Sequence, residues 1–138
     1  MEYEISSEWK EVALQVSEIG NILRTDAISK SFSPEGEYKK HLNVLTGCYM
    51  YLVVEFKKWR ALKENNEVAQ FCMLKNATVE GGKFVVASGE KEASNAIAKE
   101  RYFRDWLEGY VMSCEQGIYT LKKHLESDKK EQGFSAQQ

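Results

Sequence analysis

Tyr38, Leu42, Leu45, Tyr49, Leu52, Phe56 and Trp59 alternate spacings of four and three without a fault. Apolar residues at that period line one side of an α-helix, so this stretch must be helical and must bury that side. Ser33-Pro34-Glu35 stands just upstream and reads as a helix start: a capping hydroxyl, a proline at the first helical position and an acid in the first turn. Together they predict a helix over 34–66, roughly 50 Å long at about 1.5 Å per residue. Val44, Cys48, Tyr51 and Val54 widen its apolar surface beyond a two-stranded seam, so it needs more than one neighbour.

A shorter helix is expected over 6–24. Ser6 and Ser7 precede Glu8 and Glu11, an N-cap followed by acids. Trp9, Val12, Val16, Ile19 and Leu23 then form a seam too short to be stable alone. Residues 25–33 read as a polar connection. After the long helix, residues 72–88 carry β-branched runs on both sides of Gly81-Gly82, which predicts a small β-hairpin. A third helix is expected over 89–127, capped by Ser88, with Ala93, Ile97, Phe103, Leu107, Tyr110, Cys114, Ile118, Leu121 and Leu125 as its stripe. Residues 128–138 read as a frayed polar tail. The expected fold is mainly α and a single domain over 1–138: a long antiparallel helical hairpin, a shorter N-terminal helix, and the β-hairpin at the connection.

Helices this long with wide apolar faces do not satisfy themselves in one copy, so a homo-oligomer is expected. Its interface is assigned to Tyr49, Leu52, Phe56 and Trp59 on the long helix and Phe103, Trp106, Leu107 and Tyr110 on the third.

No run of about 18 apolar residues occurs, so no membrane span is expected. The acidic start Met1-Glu2-Tyr3-Glu4 is unlike a secretory signal, which places the chain in the cytoplasm. Cys48, Cys72 and Cys114 are odd in number and lack a C-x-x-C pair, so reduced, buried thiols are expected. His41 and His124 lie on different helices without metal-type spacing and read as exposed helix positions. Dinucleotide, P-loop, zincin and nucleophile-elbow motifs are all absent, so neither enzyme chemistry nor a cofactor is expected.

The net charge of −2 conceals an asymmetry, because residues 1–37 hold three basic and eight acidic residues while 38–138 hold sixteen and thirteen. Any grip on phosphates must therefore be local. The best candidate is Phe56–Lys63, where Lys57, Lys58, Arg60 and Lys63 stand without an acid among aromatic residues. Cations bind phosphates, and an adjacent ring offers a base a stacking surface. Lys99, Arg101 and Arg104 on the third helix form a second group, near the first if the helices are antiparallel. Glu55, Glu64 and Glu67, and likewise Glu100 and Asp105, stand close enough to neutralise part of both. Copies arranged in an oligomer would multiply a weak site into useful avidity.

Lys58-Trp59-Arg60 followed by Leu62, then Val85-Val86-Ala87-Ser88, then Tyr102-Phe103, Trp106-Leu107 and Cys114, make a pattern that resembles phage recombination mediators of the UvsY type over about residues 40–125. The resemblance implies a homo-oligomer that binds single-stranded DNA. It also implies help in loading a RecA-like recombinase onto DNA covered by single-strand-binding protein. Lys58 and Arg60 are the positions to which the family's DNA contacts carry over, and Gly81-Gly82 departs from its pattern. A different class of function stays open on the residues alone: a helical protein-interaction module, such as an inhibitor or adaptor, with no nucleic-acid role. A small-molecule carrier with pockets between subunits is a third.

Overall fold

The computed structural model describes residues 3–78 and 86–137, all of the regular structure being helical: α1 (Ser7–Ser29), α2 (Glu35–Thr78), α3 (Val86–Ala96) and α4 (Ala98–Gln137).

Helix α1 begins as its sequence demands. The Ser6 side chain accepts the backbone N–H of Trp9 at 3.2 Å, and Glu8 faces the positive helix end. Trp9, Ala13, Val16 and Ile19 form the buried side. The helix runs on to Ser29, five residues past the expected boundary at 24, because Thr25–Ser29 contains neither glycine nor proline to stop it. Lys30 ends it in the left-handed region at φ 55°, a conformation usually left to glycine.

The start of α2 differs in detail from expectation. Pro34 does sit at its mouth, its carbonyl accepting Glu37 N–H at 3.0 Å and Tyr38 N–H at 3.2 Å. Ser33, however, turns its hydroxyl to Asp26 instead of capping the helix. At the other end α2 continues through Asn65-Asn66 to Thr78. Those asparagines cost little propensity, and Asn66 is used productively: its amide donates to Glu100 at 3.2 Å.

The expected β-hairpin over 72–88 is not there. Residues 72–78 belong to α2 and residues 86–88 open α3, with no strand among the described residues. The Gly81-Gly82 turn lies outside them. The physical reason is the competition between the two structures. Extending an existing helix adds one hydrogen bond per residue ordered, whereas an isolated two-stranded ribbon is marginal in water. The third helix is also two: Ile97, only 1% exposed, interrupts it between α3 and α4. The backbone of α4 stays helical over 128–137, where a frayed tail was expected.

The chain packs as two compact units, Met1–Glu4 with Val54–Glu108, and Ile5–Val53 with Gly109–Gln138. In the second unit α1, the first part of α2 and the later part of α4 form a three-helix bundle. Tyr38 stacks on His124, and Leu45 lies against Gly117, so α2 and α4 run antiparallel there. Tyr38, Leu45, Leu52, Cys114 and Leu121 make its driest layer. In the first unit Trp59 meets Phe103 and Asn66 meets Glu100, which makes these parts of α2 and α4 antiparallel as well. Ala93, Ile97 and Leu107 are its almost fully buried residues.

Candidate nucleic-acid interface

The two cationic groups expected from the sequence both fall in the first unit, around a cluster of rings. Trp59 packs edge-on against Phe103 with centroids 4.8 Å apart, Phe103 touches Tyr102 at 5.9 Å, and Tyr3 closes on Tyr102 at 5.5 Å. The rings join α2 to α4, and their neighbours in sequence are thereby placed at the rim. Arg60 lies over the Phe56 ring at 5.4 Å, and Lys99 lies over Phe103 at 5.8 Å. Both are exposed, and so are Lys57 and Lys58. None of these four forms an ion pair among the described residues.

The other three cations are occupied or half-buried. Lys63 pairs with Glu67 one turn away at 3.0 Å. Arg104 gives Nε and Nη2 to Asp105 Oδ1 at 2.8 and 2.6 Å. Arg101 is half-buried and already engaged. Of the seven candidates the geometry leaves Lys57, Lys58, Arg60 and Lys99 available to an anion.

They are not one face. At about 100° per residue, Lys58 and Arg60 fall on opposite flanks of Trp59 and Lys57 lies almost behind it. The unit as a whole carries ten basic and eleven acidic residues, so it has no long-range positive field. A polyanion would meet a small rim of free cations on an aromatic base, not a basic groove.

The residues assigned to an oligomer interface are largely taken up inside the chain. Leu52 and Leu107 are 0% exposed and Phe103 is 7% exposed. Tyr49, Phe56, Trp59, Trp106 and Tyr110 are half-buried, with Tyr49 donating to Glu115 at 3.4 Å and Trp59 seated on Phe103. What the chain leaves outside is a different apolar set: Met50, Val54, Val68 and Met73 on α2, each more than 60% exposed, and Leu14 and Ile28 on α1. Val54 and Val68, both in the first unit, fall on the side of α2 opposite the seam residues Phe56 and Trp59.

A polar cluster in the second unit was not anticipated. Asp26 Oδ2 accepts the Tyr38 hydroxyl at 2.8 Å and the Ser33 hydroxyl at 2.9 Å, and Ser33 N–H donates to the Tyr38 oxygen at 3.2 Å. Those two side-chain hydrogen bonds hold the Asp26 carboxyl below its ordinary value against the opposing effect of burial. Burial, then the bond to Asp26, raises the Tyr38 phenol. His124, expected on an exposed face, is half-buried with its ring 5.0 Å from Phe32 and 5.3 Å from Tyr38. The only sequence hint was a tyrosine at the start of the seam, close after a polar linker with one aspartate, which reads as solvent-facing until the chain folds back.

Cys48 and Cys114 are buried, and Cys72 is exposed. Burial raises the Cys48 thiol, and burial with the nearby Cys48 and Glu115 pushes Cys114 up to about 12. Among the described residues no three potential ligands gather to hold a metal ion, and no helix is long and apolar enough to cross a membrane. Two open clefts lie among the described residues. One of about 340 Å³ lies between α2 and α3 over Val68, Phe71 and Ala93. The other, about 350 Å³, lies between α1 and α2 over Val12, Val44 and Tyr51. Both are at the small end for a ligand pocket; Lys63, Glu64, Glu67 and Glu90 also line the first, and Glu8, Gln15 and Asn43 the second.

These features define a chain that is helical throughout its regular structure among the described residues, with exposed cations beside a cluster of rings. No known protein family matches the chain, and no curated protein or solved structure matches it either.

Proposed function

We propose that this chain works by binding and not by catalysis, and that its target is single-stranded nucleic acid held at Lys57, Lys58, Arg60 and Lys99. The observation that carries the reading is the juxtaposition of free cations from two helices around the Trp59–Phe103 pair. Phosphates need unpaired cations, and single strands, whose bases are unstacked, favour a site with rings beside it. One such rim is weak. Self-association of copies supplies the avidity, and loading a RecA-like recombinase onto DNA coated by single-strand-binding protein is the role that the resemblance of the Lys58-Trp59-Arg60 segment suggests for it. The test is fluorescence-anisotropy titration with labelled single-stranded DNA and RNA at two salt concentrations, beside a mass measurement. Affinity that falls steeply with salt supports the reading; no binding at low salt removes it.

A second reading is favoured by the exposed apolar residues. Val54, Val68 and Met73, all in the first unit, suit a protein partner better than a polyanion. On this reading the chain is an adaptor or inhibitor. Substituting these residues with serine would abolish partner capture and leave any nucleic-acid affinity intact.

A further inference from the structure

The register of α2 against α4 in the second unit places the two buried thiols opposite one another. Tyr38 faces His124, and seven residues on along α2 Leu45 faces Gly117, seven residues back along α4. Three residues further on along α2 comes Cys48, and three further back along α4 comes Cys114. Tyr49, beside Cys48 in sequence, donates to Glu115, beside Cys114, at 3.4 Å, so the two helices stay side by side at this level. Both cysteines are buried, at 6% and 0% exposure, and the Cys48 thiol donates to Gln15 Oε1 of α1 at 3.5 Å. Position 117, one turn away, has no side chain. This lets the two backbones approach at this level, the condition a disulfide imposes.

We propose that Cys48 and Cys114 are an oxidation site, a dithiol that closes into a disulfide cross-linking α2 to α4 when the protein meets a peroxide. Cys48 is the less buried of the two and reacts first. Its sulfur attacks one oxygen of hydrogen peroxide and the O–O bond breaks. The departing hydroxide takes the thiol proton as water, leaving Cys48 as a sulfenic acid. The Cys114 sulfur then attacks the Cys48 sulfur. The S–S bond forms, the S–O bond breaks, and the second hydroxide leaves with the Cys114 proton as water. Two thiols have given up two electrons, and peroxide has become two waters. Because burial keeps both groups as thiols, the pair rests reduced and reacts only through brief openings of the bundle. Cys72 is exposed and has no cysteine beside it among the described residues, so it can only cap or cross-link between chains.

The experiment uses the full chain carrying Cys72→Ser, a change at an exposed position, treated with hydrogen peroxide and read by intact mass under non-reducing conditions. The expected product is a monomer lighter by about 2 Da, with a peptide joining Cys48 to Cys114, reversed by dithiothreitol. It should melt at a higher temperature than the reduced form. The further variant with Cys48→Ala should yield no such species. Chain-to-chain dimers, sulfinic or sulfonic acids on either cysteine without the linked peptide, or thiols left unreacted by peroxide would overturn the proposal.

Discussion

Leu45 Cδ1 lies 2.6 Å from where a Cβ on residue 117 would stand, and Leu45 is itself only 1% exposed. Residue 117 is glycine because α2 already fills its space. Gly109, eight residues earlier on α4, has nothing within 4 Å.

The two glycines should therefore respond oppositely to alanine. Gly109→Ala removes a helix-interior glycine at no steric cost and should stabilise by up to about 1 kcal/mol. Gly117→Ala gains the same propensity but overpacks a dry layer, which costs about 1–3 kcal/mol, so the net effect is neutral to destabilising. Chemical denaturation of both variants checks this. Equal stabilisation by the two would mean that the Leu45–Gly117 contact is absent.

Leu52 and Leu107 belong to the chain's own core. Leu52→Ala or Leu107→Ala should cost about 2–5 kcal/mol, by the same amount at any protein concentration. If these residues instead met other copies, the loss would shrink with dilution. Thermal melts over a range of concentrations separate the two cases.

Asp26 sets an acid limit. Its folded-state carboxyl is held below the ordinary 3.8 by the Tyr38 and Ser33 hydroxyls. That contribution is complete above the unfolded value and disappears as pH falls through the lower folded one. Tyr38 works at the other extreme. Its folded phenol is raised above 10.0, so its contribution is complete below that value and lost as pH climbs past it. Asp26→Asn should flatten the acid side of a stability–pH profile, leaving neutral pH as the place where wild type gains most. An unchanged acid limb in that variant would show that the carboxylate is not held by these bonds.

The parts of this fold that were legible are those where one helical period governs. The Tyr38–Trp59 seam and the Ser6 cap state their structure locally. The errors came where the outcome depends on partners distant in sequence. Asn65-Asn66 looked like an ending, but Asn66 has Glu100 to bond. The valines around Gly81-Gly82 looked like strands, yet Val86 opens a helix. Asp26 and Ser33 looked like linker residues until Tyr38 is seen between them. The site was half legible for the same reason. Seven cations could be counted, but that Glu67 takes Lys63 and Asp105 takes Arg104, while Phe56 and Phe103 leave Arg60 and Lys99 at the rim, requires the packed helices. The outward apolar side of α2 at Val54 and Val68 is masked in the sequence by a stronger seam on the other side.

The occupied cations supply internal controls. Lys63→Ala and Arg104→Ala should change affinity for a single strand by less than twofold, because each is already paired with a carboxylate. A large loss from either would relocate the site towards α3 and α4.

The most direct measurement compares wild type with the Lys58→Ala, Arg60→Ala double variant in anisotropy titrations of a labelled single strand at low and moderate salt. Removal of two phosphate contacts should weaken binding about tenfold or more at low salt and lower the slope of log affinity against log salt by about 1–2, with helicity and mass unchanged. Equal affinity and equal slope for the two proteins would contradict the account.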